Sequence, residues 1–113
     1  QLRVSCFRVG LGTEVKSFDL TRSAQADLKS IARFTQERWG VRQRNAYLRE
    51  VDQVFRALTK NPEMGRACDE VREGYRKFPH GSHVIYYKQQ EADLLLIVRI
   101  LHATMDVDSQ LGA

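Results

Sequence analysis

The 113-residue sequence has two cysteines, Cys6 and Cys68, which stand far apart with no CxxC pair and no clustered histidines to complete a metal site. That argues against the disulfide-stapled and zinc-held classes of small domain, and a reduced, cytoplasmic protein is expected. No stretch approaches the roughly 18 apolar residues of a membrane span, and the N-terminal residues lack the apolar core of a signal peptide, so neither a membrane role nor secretion is expected. Lysine is scarce. Five lysines accompany 13 arginines in a chain of net charge +4 and pI near 9.3. The planar guanidinium suits carboxylate and phosphate, so an acidic protein and a nucleic acid are both admitted as partners. At 13.1 kDa the chain supports one domain with one core.

The stretch from Gly74 to Asp106 carries the strand signals. Phe78 to Tyr87 is rich in aromatic and β-branched residues around a Pro-His-Gly-Ser turn, and Gln89 to Asp93 supplies a second polar connection. Leu94 to Leu101 is apolar at seven of eight positions, the pattern of a strand covered on both faces. Two successive antiparallel hairpins follow, with the last strand innermost.

Upstream, Val15 to Leu20 alternates as a first, outer strand. Thr21 or Ser23 can cap a helix running to about Trp39, with Ala24, Leu28, Ile31, Ala32 and Thr35 on one buried stripe and Gly40 as a left-handed stop. A second helix from about Arg42 to Thr59 places Tyr47, Leu48, Val51, Val54, Phe55 and Leu58 on one face, and Asn61-Pro62 ends it. With only Gly40 or so between them, the helices must form an antiparallel hairpin, whose apolar face closes over the sheet. The expected fold is therefore α+β: an N-terminal strand, then a helix hairpin packed on a mainly antiparallel sheet of about four strands. Residues 61–73 read as a polar connector without regular structure, and Cys68 within it as a structural thiol, since flanking Asp69 and Glu70 oppose the low pKa a reactive thiolate needs.

Catalytic signals are thin. Gly10 and Gly12 lack the third glycine and the strand-turn-helix setting of a dinucleotide site. His80 and His83 could share an ion, but no further ligand stands at suitable spacing, so no metal and no cofactor are expected. His102, with Arg76, Lys77 and Arg99, could form a metal-independent ribonuclease site in which cations hold the phosphate and the imidazole moves a proton. Strand parity opposes this. Arg99 and His102 are three apart, so they face opposite sides unless a bulge intervenes.

Several short segments in colinear order resemble the ParE toxins of the RelE/ParE toxin-antitoxin superfamily. They are Leu20-Thr21, the Ala24–Ala32 stretch, Glu37-Arg38-Trp39-Gly40, Asn61-Pro62-Glu63-Met64-Gly65, Val71 to Arg76, Gly81 to Tyr87, and Val98 to His102 with Met105-Asp106. The resemblance spans residues 15–113 as one toxin domain, with 1–14 expected to be an extension outside the fold and Val15 standing where an initiator belongs. It implies a protein that inhibits DNA gyrase without catalysis, traps it with cleaved DNA and stops replication. It also implies a ParD-type antitoxin whose acidic, flexible C-terminal segment wraps the toxin, with operator DNA touched only through that antitoxin. The ribosome-dependent messenger ribonucleases of the same superfamily are the alternative.

The expected sites follow. Toxin activity is placed on Arg76, Lys77, Arg99, His102, Met105 and Asp106, and the tail from Met105 to Ala113 is a candidate binding segment. Antitoxin binding is placed on the edge aromatics Phe34 and Trp39, with Tyr47 and Phe55 of the second helix.

Overall fold

The computed structural model describes residues 17–91 and 94–103. The expectations for residues 1–14, the proposed start at Val15, Met105, Asp106 and the C-terminal tail lie outside the described residues. Strand β1 (Ser17–Leu20) leads into helix α1 (Arg22–Trp39), and helix α2 (Val41–Lys60) follows after Gly40 alone. A short 3-10 turn (Pro62–Met64) precedes β2 (Arg66–Ala67), β3 (Arg76–His80), β4 (His83–Glu91) and β5 (Leu94–His102).

Of the two candidate hydroxyls, Thr21 is the cap. Its Oγ1 accepts from the Ala24 amide at 3.0 Å and donates to the Val98 carbonyl at 2.8 Å, so the residue that starts α1 also ties it to β5. Gly40 takes φ +98°, which a side chain rarely tolerates, and its amide bonds the Gln36 carbonyl. The chain therefore reverses within one residue. Ala24 and Ile31 of α1 meet Val51, Phe55 and Leu58 of α2 in the main core, where Phe18 and Phe55 pack edge to face at 5.3 Å between centroids.

Among the described residues the sheet has five strands in the order β1-β5-β4-β3-β2, one more than the sequence pattern indicates. The added strand, Arg66–Ala67, pairs antiparallel with Lys77 and Arg76, inside the connector expected to be irregular. Two residues are too few to show a period. Beyond them, the Cys68 amide donates to the Tyr75 carbonyl and closes a loop over the second face of the sheet. There Cys68, Tyr86 and Leu101 form a smaller cluster with Val71 and Tyr75 packed against it. Cys68 is fully buried and its thiol pKa is pushed up, by burial first and then by Glu70.

β1 is an outer strand as expected, and it runs parallel to β5. β5 is internal, but β4 holds the middle of the sheet. The helices bury Leu95, Ile97 and Ile100 on one face of β5 and leave His102 at its end exposed. On the other, Leu94, Leu96 and Val98 stay half-buried, short of the full double coverage its apolar run suggests. A bulge explains part of that run. Tyr86 pairs with Arg99 and Tyr87 with Ile97, so Val98 has no cross-strand partner and both Ile97 and Ile100 reach the helix-side core. The turns are also shorter than their polar residues indicate. Gly81 (φ +62°) and Ser82 alone connect β3 to β4, while Gln89, Gln90 and Glu91 continue β4.

Tyr87 joins the 3-10 turn to the sheet. Its buried hydroxyl donates to the Pro62 carbonyl at 2.6 Å and accepts from the Gly65 amide at 2.9 Å, and a Cβ on Gly65 would collide with that hydroxyl. Tyr87→Phe leaves both backbone groups without this partner and is expected to lower stability by about 1–3 kcal/mol. A shifted urea midpoint with an unchanged slope is the confirming result.

Candidate functional site

Among the described residues, the helix hairpin borders two clefts with mainly apolar walls. The first is a groove of about 400 Å³ between β1, α1 and α2. Phe18 and Leu20 of β1, Leu28 and Ala32 of α1, and Leu48, Val51 and Phe55 of α2 line it with apolar atoms, and Lys29 and Asp52 bring charge. The amphipathic stripes of the two helices produce this groove, because not all of their apolar width is consumed against the sheet. Phe55 does not project from the surface as an anchor. It is 3% exposed with its ring against Phe18, because its position one turn after Val51 points it inward.

The second cleft, about 360 Å³, lies where α1 meets α2 and the ends of β4 and β5. It gathers Phe34, Trp39 and Tyr47 with His83 and His102. Phe34 and Trp39 are 57% and 66% exposed, and the Arg38 guanidinium carbon stands 5.5 and 5.8 Å from their ring centroids. Tyr47 is half-buried and shares a 3.0 Å hydrogen bond with His83 Nδ1.

All three histidines form one row across the sheet end, because His80 pairs with His83 and His83 with His102. The His83 and His102 rings meet edge to face at 5.6 Å, while His80 Nε2 is 3.5 Å from Glu50 Oε1 without hydrogen-bond geometry. Among the described residues, no three His, Cys, Asp or Glu side chains are grouped to hold a metal. Burial lowers the His83 pKa most, His102 and His80 lower it further, and Asp27 opposes them. The unfolded chain therefore takes up this proton at a higher pH than the folded one. The stabilising contribution is full above the ordinary histidine value, about 6.5, and fades as pH falls through the lowered one. Thermal melts should show stability declining from pH 7 toward 5.5, with a shallower decline in His83→Gln.

Of the residues expected to act together, Lys77 and Arg99 share a cross-strand row and His102 does not join them. Arg99 donates from Nε and Nη2 to the Asp27 carboxylate at 2.7 and 2.9 Å, and these hydrogen bonds raise its pKa above the ordinary value. Lys77, Tyr86 and Arg99 fall in one cross-strand row, but pairing from Arg99 to His102 is unbroken, so His102 lies on the opposite face. The bulge at Val98 comes before Arg99 and does not bring the two together. Arg76 lines a small polar pocket with Glu63, Tyr87 and Gln89, where its Nη1 donates to the Gly65 carbonyl at 2.7 Å.

The family described as "ParE toxin of type II toxin-antitoxin system, parDE" matches residues 18–107, a span that starts at the second residue of β1 and includes every later element described here. This chain belongs to the ParE toxin family. It is thus a ParE-type toxin of a type II toxin-antitoxin system. It is 46% identical over 92 residues to Toxin ParE1 of Mycobacterium tuberculosis (strain ATCC 25618 / H37Rv), covering 81% of this chain and 94% of that relative. Toxin ParE1 of Caulobacter vibrioides is 36% identical over 98 residues, covering 87% and 100%. A solved structure described as "Chromosomal ParDE TA system from P. aeruginosa" superposes with a TM-score of 0.65 at 17% identity, covering 80% of this chain and 98% of its own, which shows that the two chains share a fold.

Asp27 and the histidine row of this ParE chain were not apparent from sequence. The row had a signal: a two-residue turn at Gly81-Ser82 sets His80 opposite His83. Asp27 had none, since it meets Arg99 across 72 positions of chain.

Proposed function

We propose that this ParE-family toxin inhibits DNA gyrase and blocks replication by a non-enzymatic contact, and that a ParD-type antitoxin neutralises it in the cytoplasm. The observation that carries the non-enzymatic reading is the Arg99–Asp27 pair. It engages the strand arginine that a ribonuclease would turn to phosphate and leaves His102 on the other face. The 46% identity to a Toxin ParE1 supports the toxin class.

Of the four residues expected to bind the antitoxin, this reading favours the groove that Phe55 lines, between β1, α1 and α2, over the cleft that holds Phe34, Trp39 and Tyr47. An acidic, flexible segment that folds on binding would place apolar side chains against Leu28, Leu48 and Val51, and Lys29 would meet its charge. Operator DNA is reached through the antitoxin alone.

A supercoiling assay with purified gyrase tests the target. The expected result is cleaved plasmid that accumulates with toxin dose and is suppressed by the antitoxin. Unaffected gyrase together with cleavage of translated messenger would overturn the reading and make the toxin an endoribonuclease.

A further inference from the structure

We propose that the aromatic cleft at the tip of the helix hairpin binds an unpaired base of single-stranded DNA. The proposal rests on the gyrase reading, because a topoisomerase caught with its DNA cut presents strand ends beside the toxin.

Phe34 and Trp39 expose flat ring faces that contribute little to the core, and Arg38 sits over both. Exposed aromatic rings with an arginine beside them form a stacking platform, since every base has a π-face and the guanidinium adds a cation. The cleft behind the rings holds Gln43, Tyr47, His83 and His102, whose polar atoms suit the heteroatoms of a base edge. In the same turn of the hairpin, residues 33–44 hold Arg33, Arg38, Arg42 and Arg44 against one acid, Glu37; Arg38 stands at the rings, and Arg33 and Arg42 are exposed in the same segment. A basic hairpin segment of this kind suits a phosphate backbone. An acidic peptide would satisfy the arginines but leave the rings without a stacking partner, so the combination favours nucleic acid over protein.

Trp39 is the chain's single tryptophan, so intrinsic fluorescence reports on the cleft itself. The intact protein is titrated with a short oligothymidylate. Saturable quenching is expected, with a log–log salt slope of about −2 for three arginines at about 0.7 per neutralised phosphate. Phe34→Ala should weaken binding about tenfold, in the range of losing one stacking ring. Its exposed position spares the fold, checked by circular dichroism. Absence of saturable quenching overturns the base site. So does equal quenching by a duplex, by oligouridylate of the same length or by a polyglutamate peptide, or undiminished binding by Phe34→Ala. Gyrase trapping without quenching overturns the base site while leaving the target reading intact. Quenching without trapping supports the site and removes gyrase as its setting.

Discussion

Asp27→Ala is expected to lower the stability of this domain by about 3 kcal/mol, the range for breaking a largely buried ion pair from one side. The Asp27 and Arg99 side chains are only 14% and 18% exposed, so water cannot readily replace the lost carboxylate. Asp27 Oδ2 also accepts from the Ile100 amide at 3.0 Å. That bond has a topological cause. β1 ends at Leu20 opposite Ile97, so among the described residues no strand lies beside β5 on that edge from Val98 onward. Helix α1 supplies the missing partners, with Thr21 taking the Val98 carbonyl and Asp27 the Ile100 amide. Denaturant unfolding of Asp27→Ala, Arg99→Ala and the double variant would measure the coupling. The double change is expected to cost clearly less than the two single changes together, because it leaves no charge buried alone. Additive losses would show that the pair holds nothing in common.

Leu48→Arg is expected to weaken antitoxin binding by about 100-fold, the size of a central interface residue, while gyrase trapping persists. Leu48 lines the apolar groove and is only half-buried, so a long cation there fills the seat without emptying the core. Titration calorimetry with the antitoxin gives the affinity, and rescue of growth gives the consequence in cells. Lys29→Glu at the same groove should mainly slow association with an acidic partner, and more so at low salt. Undiminished neutralisation of Leu48→Arg would place the antitoxin elsewhere, with the aromatic cleft the next surface to alter.

The two helices, their cap at Thr21, their reversal at Gly40 and the turn at Gly81 were legible because each depends on neighbours in the chain. A hydroxyl before a helix, a glycine at positive φ and a stripe at spacings of three and four are local physics, and they survive in any fold that buries the stripe. The first strand and the order of hairpins were legible for the same reason. So was the parity that separates Arg99 from His102, since alternation of side chains along a strand holds wherever no bulge intervenes. Residues 66–67 were not legible, because a two-residue strand is defined by its partner at Lys77 and Arg76 and not by its own pattern.

What the sequence by itself determined is the long elements and their polarity: an outer first strand, a helix hairpin, an apolar last strand and an arginine-rich composition. Tertiary structure alone decided which side chains meet. It set Asp27 against Arg99, aligned three histidines in one row, turned Phe55 inward against Phe18 and left Phe34 and Trp39 outside. The physical reason is that helix and strand periods assign a residue to a face. What that face then touches is set by the register between strands, the bulge at Val98 and the edge that α1 fills where β1 ends, all of which join residues distant in the chain.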